Sequence, residues 1–243
     1  MIRFIDDKEH ADGISVLPEY AWDFRVLGGL IERVRRAARA YLILEKGGHA
    51  AEGRALVRSA LEHAVTAQWA YLTADGVDRL EVWVHRARVD YARRSRDEND
   101  PEWDSLITDL EGKIPRDTNG KPRRSMPRLT GEPSILASLD DTGYFRRAYA
   151  VLSRAGHVTD QAVTDYFVDD AGMVAVASGP SDEYDIDVFH TLSTCCCLAA
   201  WLLARLEGDD EAMRLATRQG LLWRLDFHLP EAERRFPLEQ DAV

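Results

Sequence analysis

Apolar residues recur at three- and four-residue intervals along most of the chain, the signature of amphipathic helices. After Pro18, Leu27, Leu30, Ile31, Val34, Ala38, Tyr41 and Leu42 keep that rhythm until Gly47-Gly48 ends it. A second helix is predicted from about Ala50 to Leu72, with Val57, Leu61, Val65, Trp69 and Leu72 facing inward and Gly76 breaking it. A third covers about Val77 to Arg96, and a short fourth follows Pro101, from about Trp103 to Leu110. The rhythm lapses over residues 113–135, where Pro, Gly, Lys and Arg predict a long and mobile loop.

It resumes from about Thr142 to Ala155, stopping at Gly156. "DQAVTDYF" reads as a short helix and "MVAVA" weakly as a strand. A buried helix from about Ile186 to Leu206 precedes an amphipathic one from about Asp210 to Phe227. With no internal repeat, about six or seven helices on mostly short connections predict one all-α domain, an up-and-down bundle with its core over about residues 18–228.

Two helices carry polar residues where apolar ones belong. With Tyr149 at zero on a helical wheel, Ser153 falls near ~40° and His157 near ~80°, beside the apolar stripe of Phe145 and Leu152. Arg147 and Arg154 lie on the far face. On the second helix, Arg58 and Glu62 lie within about 60° of Val65 and Trp69, whereas His63 and Gln68 sit off that line, with His63 exposed. Arg before Glu is the weaker order for a surface pair, so helix support alone explains Arg58 and Glu62 poorly. Buried polar groups need partners, and two such stripes in one bundle most economically satisfy each other. The two helices are therefore expected to pack with Arg58, Glu62, Tyr149, Ser153 and His157 lining one partly open pocket. In a closed pocket Glu62→Ala would cost about 2–4 kcal/mol, because Arg58 would be left unpaired.

Composition narrows the function. With 45% hydrophobic and 30% charged residues, the chain reads as an ordinary globular protein. No stretch of signal-peptide type opens it, and the apolar run at residues 194–204 is too short to span a bilayer, so a cytoplasmic protein with no membrane partner is expected. Cys195, Cys196 and Cys197 point about 100° apart on a helix and cannot grip one metal, so they are read as small buried side chains. The net charge of −11 is uneven: no Lys or Arg occurs from Ala155 to Ala204, while Arg clusters mark "ERVRRAAR", "HRARVDYARRSR" and "KPRRSMPR". Such clusters can meet phosphate, though solvated helix faces are the commoner reading.

Asp187 with His190, Glu81 with His85, and Asp226 with His228 are pairs at ligand spacing, but no Glu-x-x-His occurs, and neither metal nor cofactor is expected. The phosphate-loop, dinucleotide, nucleophile-elbow and zinc-protease motifs are all missing from the sequence.

"RSALE" (Arg58 to Glu62) with "WAYL", then "YAVLSRAGH" (Tyr149 to His157) and a last apolar helix, resemble an uncharacterised bacterial helical family over roughly residues 20 to 205. That family is similar to HEPN domains, helical dimers of toxin, defence and RNA-processing systems. The resemblance implies a homodimer with an RNA or protein partner, acting as an interaction or regulatory module in stress or phage defence. Active members of the HEPN group place Arg four to six residues before His and cleave RNA without metal. Here Arg154 stands three before His157, and Arg146 is about 16 Å away along an ideal helix. The alternative function is a metal-independent ribonuclease, with His157 as general acid or base and Arg58 stabilising phosphate charge.

Overall fold

In a computed structural model, residues 14–97, 100, 102–140, 142–155, 167–170, 173–176, 185–222 and 234–235 are described. A single 3-10 turn at Pro18–Tyr20, with Pro at the first helical position, leads into α1 (Ala21–Lys46). Gly48, at φ +81°, turns the chain through a left-handed conformation into α2 (Ala50–Leu72). α3 (Gly76–Ser95), α4 (Glu102–Gly112), α5 (Ile135–Leu139) and α6 (Tyr144–Ala155) follow. A hairpin of β1 (Phe167–Asp170) and β2 (Met173–Val176), paired antiparallel with Phe167 opposite Val176, precedes α7 (Asp185–Glu207) and α8 (Asp210–Leu222). The fold is all-α, and this hairpin is its only sheet among the described residues.

α2 is the axis of the molecule. Residues 67–71 are buried in succession, so all faces of its last turns are covered, by α1, α7, α6, α3 and α5 between them. α7 is similar, with Cys195 through Ala200 all buried. Taken as Asp187–Glu207, it is long and apolar enough to cross a membrane, longer than the run read from sequence. In the fold, 72% of its most apolar window is buried, so its hydropathy is that of a core helix. The three cysteines are free thiols. Burial pushes all three up, Cys196 to about 12, which keeps them protonated at neutral pH.

Several expectations change. Gly76 does not merely break a helix: it opens α3 against the backbone of Ala70. The 113–135 segment runs at its last residue into α5, which is capped by Ser134 Oγ accepting from Ala137 N and puts Ile135, Leu136 and Leu139 in the core. It is also tied to α3, for Met126 N donates to Arg79 O and Arg79 Nε to Ser125 O. Phe167, the end of the helix read in "DQAVTDYF", lies in β1, and the rest of that stretch is outside the described residues. So are Gly156, Asp226, His228 and the end of the last helix.

The Arg clusters lie on solvated faces, with every arginine in them exposed except Arg35. Arg35 is buried and pairs with Glu32, which also takes Arg36, and these partners hold the Glu32 carboxyl down at about 2, the Arg35 hydrogen bond foremost. Arg123 reaches Asp78, and Arg93 reaches Glu111.

Candidate functional site

The polar seam lies where α6 packs on α2. Phe145, Ala148 and Leu152 fill one face of α6 and are buried, which leaves Tyr149 and Ser153 at the margin. On α2, Val57, Leu61 and Val65 are buried, and Arg58 and Glu62 occupy the corresponding margin. The two margins meet. Arg58 Nε lies 3.0 Å from Glu62 Oε1, and its Nη2 donates to Tyr149 Oη at 2.9 Å. The guanidinium carbon sits 5.0 Å from the Tyr149 ring centroid. Burial works against the Arg58 charge, but the Tyr149 hydroxyl and Glu62 outweigh it and raise its pKa above the ordinary value.

Of the five residues expected together, Arg58, Glu62 and Tyr149 are in contact. Ser153 follows one turn beyond Tyr149, its Oγ shut off from solvent and without a hydrogen-bond partner among the described residues. His157 lies outside the described residues.

The Arg58 and Glu62 side chains are 26% and 35% exposed, so this is a half-buried seam, and the cost of breaking it is lower than a closed pocket would give. Glu62→Ala should destabilise by about 1 kcal/mol, since water reaches the stranded guanidinium. Tyr149→Phe should cost about as much, one hydrogen bond to a charged donor. Urea unfolding at neutral pH measures both. A loss of about 3 kcal/mol or more in either variant would mean that the seam is dry.

Sequence reasoning missed other polar groups. Gln68 is 1% exposed, on the inward stripe with Leu61 and Ala64, and both its amide atoms lack a partner among the described residues. His63 is half-buried, not exposed, and its Nδ1 lies 2.6 Å from Ser59 O. Arg79 is buried with its guanidinium 4.7 Å from the Trp69 ring centroid, and Asp75 is 3.4 Å away. Two of the three histidine pairs fall on described residues. Glu81 and His85 stand 3.9 Å apart, and His190 Nδ1 is 3.2 Å from Tyr144 Oη, which also meets Thr191 Oγ1 at 2.9 Å. Burial raises the Tyr144 pKa. No group of three or more His, Cys, Asp or Glu gathers among the described residues.

Fold and seam together define an all-α protein whose central helix is locked to a neighbour through an Arg–Glu–Tyr contact. The chain belongs to the family of unknown function DUF5677, whose model matches residues 24–174 and so takes in both margins of the seam. No curated protein and no solved structure matches it.

Proposed function

We propose that this protein is a cytoplasmic interaction or regulatory module of the HEPN-like kind, serving bacterial stress or defence by associating with itself and with a protein or RNA partner. The observation that carries the reading is the state of Arg58. Phosphate chemistry on this stripe would draw on that cation, and Glu62 and Tyr149 hold it from two sides at 3.0 and 2.9 Å. A guanidinium engaged in this way joins helices, and an incoming phosphate would have to displace a carboxylate. The three-residue step from Arg154 to His157 also departs from the HEPN nuclease spacing.

One observation favours a metal-independent ribonuclease as the second reading. The Ser153 hydroxyl is buried and has no partner among the described residues, on the stripe that by sequence leads toward His157, so packing there does not fully consume the polar stripe. Incubation of the purified protein with total RNA, with and without a chelator, separates the two readings. The module reading expects intact RNA in both tubes. Cleavage that survives the chelator and disappears in His157→Ala would replace it with the nuclease.

A further inference from the structure

α4 buries none of its residues, although Trp103, Leu106 and Leu110 form a helical stripe along it. Its neighbour in the fold is α3, and the two helices enclose a groove of about 470 Å³ lined by these three side chains with Trp83, Arg88 and Tyr91. Tyr91 is 68% exposed, and Trp83 and Leu106 are each close to half exposed. Scattered apolar residues on a surface are ordinary, but a continuous aromatic and aliphatic stripe over two helices marks an interface.

The charges beside the groove select its occupant. α4 carries Glu102, Asp104, Asp109 and Glu111 and no Lys or Arg, whereas the second half of α3 carries Arg86, Arg88, Arg93 and Arg94 against Asp90 alone. The two sides already attract within one chain, through Arg93 with Glu111 and Arg96 with Asp104. Arg88 on one side and the Glu102 carboxylate on the other make no ion pair among the described residues.

A partner of uniform charge would be repelled by one side. A second copy turned by a two-fold axis would lay basic α3 over acidic α4 twice, closing the groove as a four-helix layer. We infer that the α3–α4 groove is a self-association surface, occupied by the same groove of a second copy. The inference rests on the proposed self-association and names its surface.

Sedimentation velocity across micromolar concentrations, with circular dichroism to verify folding, tests it. The wild type should sediment as a dimer. Leu106→Glu and Trp83→Glu should each weaken the dimer by at least about thirtyfold, as truncating an interface hot spot does. Leu215→Glu on α8, equally apolar and exposed but packed on α7, should leave it intact. Arg88→Glu and Glu102→Arg should each weaken it, and the double variant should recover much of the loss. These two surface reversals keep the test alive if a groove variant fails to fold. A monomeric wild type would sink both the surface and the self-association reading. A dimer that persists in both groove variants, or a double reversal no tighter than its singles, would overturn the surface alone.

Discussion

Trp69→Ala should destabilise the protein by about 4 kcal/mol, the largest loss expected of any single truncation described. The side chain is fully buried on α2, so its removal forfeits the transfer energy of an indole and leaves a hole that a crowded helix cannot close. Arg79 then loses the aromatic face beside which its guanidinium lies, while staying buried on α3 with only Asp75 and the Ser125 carbonyl at 3.4 Å. One term opposes these. Trp69 Nε1 has no partner among the described residues, so the indole already carries the cost of one unmade hydrogen bond. Trp69→Phe, which keeps a ring and discards that nitrogen, should therefore cost less than half as much. Guanidinium unfolding curves of both variants provide the measurement. Equal losses would mean that ring packing against Arg79 is not what the site depends on.

Gly76→Ala should cost about 3 kcal/mol, although glycine to alanine at a helix start ordinarily stabilises. A Cβ at position 76 would stand 2.3 Å from Ala70 O, with Ala70 Cα and C inside 3 Å. These are backbone atoms of a fully covered helix and cannot swing aside, so α3 would have to move off α2. Gly112, ending α4 with nothing within 4 Å, is the control and should accept alanine at no loss. Thermal melts of the two variants should shift in unequal fashion, Gly76→Ala sharply downward and Gly112→Ala hardly at all. A Gly76→Ala protein as stable as the wild type would show that the α2–α3 turn yields.

Periodicity alone makes the long helices legible, because an apolar stripe over several turns averages out local exceptions. α2, α3 and α7 begin and end within a residue or two of their sequence reading. α5 escapes because five residues hold little more than one turn, and its neighbours Pro133 and Gly131 read as loop. The contact of Arg58 with Tyr149 follows from charge at the margin of a buried stripe, where polar groups must find company.

Gln68 and Arg79 show the limit of that logic. Their polarity argues for exposure, and only the number of helices crowding α2 puts them inside, a tertiary property that no local window holds. Gly76 teaches the same lesson in reverse, since a break and a close approach use the same residue for different reasons.

The central seat of α7 has a consequence for synthesis. α2 is complete at Leu72, and the ribosome adds roughly 110 more residues before α7 begins at Asp185, a wait of roughly 5 to 20 s at ordinary elongation rates. Throughout that interval the nascent α1–α2 pair presents the apolar surface that α7 will later cover. The chain thus makes this apolar face early and shelters it only after more than a hundred further residues, an interval in which the nascent chain is open to misassociation.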